Sequence, residues 1–149
     1  MQKERCSFVT DSMLMEFEFV SVGPKGMIKK QVRYSPHNLD GVTYYNLAFG
    51  DLDPDTGEID DLSVSDNKDR LKVLATVAAT IVEFTNHFPH ALVMAQGSTA
   101  SRTRLYQMAL SANLNEIIKS LHVFGLLNGE WFDFETNTNY EAFMVVHRN

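Results

Sequence analysis

One cysteine, Cys6, is the entire thiol content of the 149-residue chain. Without a second cysteine there is no internal disulfide and no multi-cysteine metal site, a usage that suits a reducing cytosol. No run of 18 or more apolar residues occurs, and no basic segment precedes a short apolar one near the start. Neither a membrane span nor a secretory signal is therefore expected, and the expectation is a soluble, cytoplasmic protein. Basic charge is also short, with 13 Lys and Arg against 19 Asp and Glu for a net charge of −6. Seven of the acids (Asp51, Asp53, Asp55, Glu58, Asp60, Asp61 and Asp66) fall between residues 51 and 66 with no base among them. The rest of the chain is close to neutral, so no basic footprint exists for general binding to nucleic acid.

What the chain has is a hydrophobic content of 44%, enough to bury one core in a single domain spanning residues 1–149. Residues 1–15 show no clean period and read as a lead-in. Glu16 to Val22 and Met27 to Tyr34 alternate polar and apolar residues around Gly23-Pro24-Lys25-Gly26, the pattern of a β-hairpin. In its second arm Ile28, Val32 and Tyr34 share one face, and Lys29, Gln31 and Arg33 the other. A break at Ser35-Pro36-His37-Asn38 precedes Val42 to Phe49, which is apolar on both faces and reads as a strand nearer the sheet centre. From Lys68 to Asn86, Leu71, Leu74, Val77, Ala78, Ile81 and Phe84 recur at helical spacing, with Asp66-Asn67 as cap and Asp69 in the first turn. Ala91 to Ala95 is a short buried strand, and Ser101 to Ala112 a helix with Leu105, Met108, Ala109 and Ala112 facing inward. Asn113 to Lys119 adds a further helical turn or two. Asn128-Gly129 marks a hairpin, and Tyr140 to His147 alternates as a last strand. The order β-β-β-α-β-α-β-β(-β) predicts an α+β domain around a mixed, mostly antiparallel sheet.

The stretch richest in chemistry is Ala91 to Tyr106, ALVMAQGSTASRTRLY. A strand ending in Gly97, Ser98 and Thr99 and entering a helix at Ser101 can present backbone N–H groups and the positive end of the helix dipole to an anion. Arg102 and Arg104 would add charge-assisted contacts to a phosphate or carboxylate. The plainer alternative is that Ser98, Thr99 or Ser101 caps the helix and the arginines are solvated. The lysine and glycine spacing of a nucleotide P-loop is absent. Tyr106, about one and a half turns into the helix, is either core or a phenol reaching the helix mouth. The acidic loop DLDPDTGEIDDL departs from a calcium loop: glycine stands seventh, Leu62 replaces the bidentate glutamate, and no helix precedes it. His37, His87, His90, His122 and His147 are scattered, so no metal site is expected. The last strands are rich in aromatics (Phe124, Trp131, Phe132, Phe134, Tyr140, Phe143), which serve either as core or as an interface such as that of a homodimer.

The element order together with Ala91 to Tyr106 resembles the C-terminal two-thirds of the GNAT superfamily of N-acyltransferases, over about residues 16–147. That resemblance implies acetyl-CoA or another acyl-CoA as cofactor, its pyrophosphate at the helix start near Asn67 and Lys68, and Tyr106 in SRTRLY as the acid that protonates the departing thiolate. Ser65-Asp66-Asn67-Lys68-Asp69 stands where that superfamily has spaced glycines. YNLAFGD, KVLATVA and GST-x-x-RTRLY together are similar to a family of small bacterial proteins of unassigned function, over nearly the whole chain. The expectation is a small domain without demonstrable catalysis that binds an anionic small molecule or a protein partner. The alternative is a degenerate acyl-CoA-dependent N-acyltransferase.

Overall fold

The computed structural model describes residues 4–60 and 67–148. Among them, strands β1 (Phe8–Thr10), β2 (Glu16–Gly23), β3 (Gly26–Leu39), β4 (Val42–Leu52) and β5 (Ile59–Asp60) precede helix α1 (Arg70–His87). Strand β6 (Leu92–Ala95), helices α2 (Ala100–Ala112) and α3 (Leu114–Ile117), and strands β7 (Leu121–Leu127), β8 (Glu130–Asp133) and β9 (Ala142–His147) complete the order. The sheet runs β1-β2-β3-β4-β6-β9-β7-β8, with β5 added on β4. Every pairing is antiparallel except β4 with β6. The expected α+β class with a mixed, mostly antiparallel sheet is what forms.

Alternation in the strands divides the residues between two faces. Phe17, Phe19, Val32, Tyr34, Leu47, Phe49, Val93, Ala95, Phe143, Val145, Leu121 and Val123 point one way and are buried under α1 and α2, which pack against each other on this side. Helix α1 is buried around much of its circumference, Phe84 stacking on Tyr34 at 4.1 Å between ring centroids. That breadth follows from Val73, Ala75, Thr76 and Thr80 sitting beside the Leu74–Val77–Ala78–Ile81 stripe. The buried threonines turn their hydroxyls back onto helix carbonyls, Thr76 on Lys72, Thr80 on Val77 and Thr85 on Ile81.

Four local expectations are corrected. Strand β3 does not break at Ser35–Asn38 but runs to Leu39 with Pro36 opposite Tyr45. The N–H of Tyr34 donates across to Met15, on the β2 side, and Pro36 two residues on aims its ring nitrogen the same way, past the end of β2. No ladder bond is lost there, so proline is tolerated. The lead-in is partly strand, as β1 pairs with β2. Helix α1 starts at Arg70 and leaves Leu71 exposed. In α2 the buried face is Arg102, Thr103, Tyr106, Ala109 and Leu110, while Leu105, Met108 and Ala112 are only half-buried. The helix is turned because Arg102 goes inward. At Asn128-Gly129 both residues take positive φ, 52° and 79°, as the two-residue hairpin turn between β7 and β8 requires.

Candidate functional site

Strands β4 and β6 run parallel over only three residue pairs, Tyr45–Leu47 beside Val93–Ala95, and then part. Strand β4 continues to Leu52, where β5 takes up pairing at Asp51. Between those points the carbonyls of Leu47 and Phe49 would lack ladder partners. Helix α2 supplies them: the Tyr106 hydroxyl donates to the Leu47 carbonyl at 3.3 Å, and the Arg102 guanidinium donates to that of Phe49. The spacing explains the fit, since four helical residues rise about 6 Å and two strand residues about 6.6 Å. Arg102 is 4% exposed and its Cζ lies 5.3 Å from the Phe49 ring centroid. Lys30 approaches the same ring at 5.8 Å while pairing with Asp51 at 2.5 Å. The two residues expected to meet an anion or a thiolate are thus engaged on the β4 edge.

The Gly97 turn itself is built for close packing. A Cβ on Gly97 would stand 2.4 Å from the Arg102 Cβ and from the Thr103 nitrogen, so only glycine fits against the first turn of α2. The Gly97 N–H donates to the Thr103 hydroxyl at 3.0 Å, and the Thr99 hydroxyl accepts from the Arg102 N–H at 3.2 Å as N-cap. Gly97, Ser98, Thr99 and Arg104 line an open cleft of about 510 Å³ shared with Gln96, Gln107 and Glu141. Ser101 is exposed on the first turn. Gln107 closes one wall by donating to the Thr138 carbonyl and accepting from the Tyr140 N–H.

Asn67 and Lys68 lie elsewhere, against the β2–β3 turn. Asn67 is buried; its amide donates to Ser21 and to the Gly26 carbonyl, and its oxygen accepts from the Lys25 N–H at 2.7 Å. The Asp69 carboxylate accepts from the Ser21 hydroxyl at 2.8 Å and from the Val22 N–H at 3.1 Å instead of capping α1. Lys68 bridges the two with a left-handed φ of 60°. This start of α1 is a bolt between helix and hairpin, with a carboxylate one residue from Lys68. In the acidic loop Asp53 accepts from the N–H groups of Asp55 and Thr56, forming a turn. Leu62, Asp61, Ser65 and Asp66 lie outside the described residues. No group of three potential metal ligands occurs among the described residues. Burial pushes the Tyr34 phenol far above its ordinary range, the Thr80 hydroxyl at 3.0 Å opposing only in part.

The sheet's second face has no described helix over it. Toward β1 it is polar: Glu16, Glu18, Lys29, Gln31 and Arg33, with Gln31 joining Glu18 and Arg33, and Arg33 paired to Glu16 at 3.3 Å. Toward β8 it is apolar. Register places Leu92 beside Val146 and Met94 beside Met144, Phe124 beside Met144, and Trp131 beside Leu126. These side chains are half-buried by one another, and Trp131 is 38% exposed. Of the expected aromatics, Phe143 and Tyr140 are core, Phe134 packs on the core edge, and Phe124, Trp131 and Phe132 meet solvent. The methionines of this face carried no signal in the sequence, since β6 and β9 were legible as strands but their adjacency was not.

Residues 2–148 match the family of unknown function DUF6934. No curated protein and no solved structure matches the chain.

Proposed function

Since the chain belongs to this family of unknown function, we propose on physical grounds that it is a protein-interaction module working through the apolar half of its open sheet face. One observation carries this: Leu92, Met94, Met144, Val146, Phe124, Leu126 and Trp131 form a register-linked apolar surface across four strands with no described helix over it. Apolar surface of that extent marks an interaction site in a soluble domain. The test is peroxide oxidation of methionines, read by mass spectrometry in cells and in dilute purified protein. Met94 and Met144 should oxidise in the dilute protein and be shielded in cells, while Met27, 76% exposed on the polar side, reacts in both. Equal reactivity of Met94 and Met144 in both settings would sink this reading.

A second reading is the degenerate acyl-CoA-dependent transferase. It is favoured by a single parallel pair, β4 with β6, inside an otherwise antiparallel sheet, and by the Tyr106 hydroxyl at the point where the pair parts. The residues present fit the cofactor poorly: Arg102 spans the parting and Asp69 stands next to Lys68. Millimolar acetyl-CoA should raise the melting temperature of Arg102→Ala more than that of the wild type if the slot exists. A shift in neither protein removes this reading. An anionic small molecule at the Gly97 cleft would meet Arg104 as the one cation lining it among the described residues.

A further inference from the structure

The open face is complementary to itself. Its rows follow from the register: His37–Tyr44–Leu92–Val146–His122, then Ser35–Asn46–Met94–Met144–Phe124–Asp133, then Arg33–Ala48 with Ala142–Leu126–Trp131. In the two lower rows Phe124, Leu126 and Trp131 on the β7–β8 side are large, whereas Ser35, Asn46 and Ala48 on the β3–β4 side are small and Arg33 there is long and cationic. A two-fold axis parallel to the strands and passing between β6 and β9 lays one half over the other. Phe124 then stands over Asn46 of a second copy, Leu126 over Ala48, and Met94 over Met144. Trp131, 38% exposed, falls over Arg33, whose guanidinium also donates to Gln31 and to the Gly57 carbonyl and offers the ring a cationic partner. Asp133, which holds His122 at 3.0 Å, brings a negative charge to the same corner.

We propose that the partner of this face is a second copy of the chain, packed sheet on sheet about this axis as the two layers of a β-sandwich. The proposal rests on the interaction reading above and narrows it to one occupant. Six strands about 4.8 Å apart and three rows about 6.8 Å apart cover roughly 29 by 20 Å. That is about 1,200 Å² counted over both copies, at the lower bound for a specific interface. The exposed β-ribbon tip, Leu39 opposite Val42, extends from the upper row on the same face and adds apolar area beyond the sheet. The concentration-dependent dimer this implies has a modest interface.

Sedimentation velocity of the full chain at about 5 and 200 μM tests it. The wild type is expected to move from mostly monomer toward dimer, and Met144→Glu to loosen the dimer at least about 100-fold by burying an unpaired charge. Ala48→Trp reads the axis itself: a large ring opposite Leu126 should dissociate the pair while circular dichroism and melting temperature stay those of the wild-type monomer. Lys29→Glu, on the polar half, should leave the dimer intact. A wild type that is monomeric at 200 μM overturns the proposal. So does dimerisation of Ala48→Trp at wild-type strength. Monomeric protein whose Met94 and Met144 are nonetheless shielded in cells overturns the second copy alone and leaves the interaction reading standing.

Discussion

Phe143 and Met144 are neighbours in one strand and belong to two different environments. Phe143 is fully buried against Phe134 and Tyr140 beneath the helices, whereas Met144 sits between Met94 and Phe124 on the face that no described helix covers. The two faces of the sheet are made by the same alternation, yet only one is completed by the chain's own elements. The covered face uses α1 and α2, and even its polar atoms are satisfied from within: Arg102 and Tyr106 on β4 carbonyls, Tyr34 on Thr80. The open face splits again, into a polar half where Gln31 is buried and the loop at Gly57 meets Arg33, and an apolar half over which no described helix lies. This half-buried apolar surface is what the proposed partner would cover.

The largest effect should separate the two neighbours. Phe143→Ala is expected to cost about 3–5 kcal/mol, the range for removing a buried aromatic, whereas Met144→Ala should cost under about 1 kcal/mol in urea unfolding of dilute protein. Comparable losses at the two positions would mean that the open face is as much a part of the monomer's core as the covered one.

Next comes Arg102→Ala, expected to cost about 2–4 kcal/mol because the Phe49 carbonyl loses this donor and its ring loses the stacked guanidinium. A neutral result would return Arg102 to the solvated or ligand-binding role its sequence suggests. That reversal shows where the sequence stops being legible. The strands and both main helices follow from periodicity and punctuation, with Asn128-Gly129 and the α2 start near Ser101 close to where they form. Arg102 was not legible as a buried group, because burial of an arginine depends on a carbonyl 53 residues away in sequence, exposed by the parting of two strands. The corresponding limit at Asn67 and Asp69 is the same: their partners, Ser21, Val22 and Lys25, sit in a hairpin that local spacing does not connect to the helix start. The apolar open face needed the strand order, which places β9 between β6 and β7 and so gathers Met94, Met144 and Phe124.

Tyr34 gives a smaller effect with a pH signature on the covered face. Its phenol is favoured in the neutral form when folded, so the folded group keeps its proton where the unfolded group, near pH 10, begins to lose it. The contribution is fully present below about pH 10 and is lost as pH rises above it, since the unfolded chain then binds fewer protons. Tyr34→Phe should cost about 1 kcal/mol at neutral pH, with Thr80 still donating to Val77, and should flatten the alkaline decline. An unchanged decline between about pH 10 and 11 would show that burial at this position does not govern it.

The smallest effect belongs to the polar half of the open face, and it decides whether that half is passive. Arg33 approaches Glu16 at 3.3 Å through an Nε that is itself buried, and its guanidinium donates to Gln31 and to the Gly57 carbonyl, while the two side chains as wholes are one-third and nearly one-half exposed. Water and salt screen such a pair, so Arg33→Gln is expected to cost about 0.2–1 kcal/mol and less at 0.5 M salt than at 0.05 M. A loss above about 2 kcal/mol would make these charges structural rather than solvated. The same variant also sharpens the contrast between the halves: removing the guanidinium from beneath Trp131 of a second copy should weaken association by several-fold while stability barely moves. An effect on association that exceeds the effect on folding is what distinguishes a surface kept for a partner from one kept for the fold, and here it would appear at a residue of the polar half.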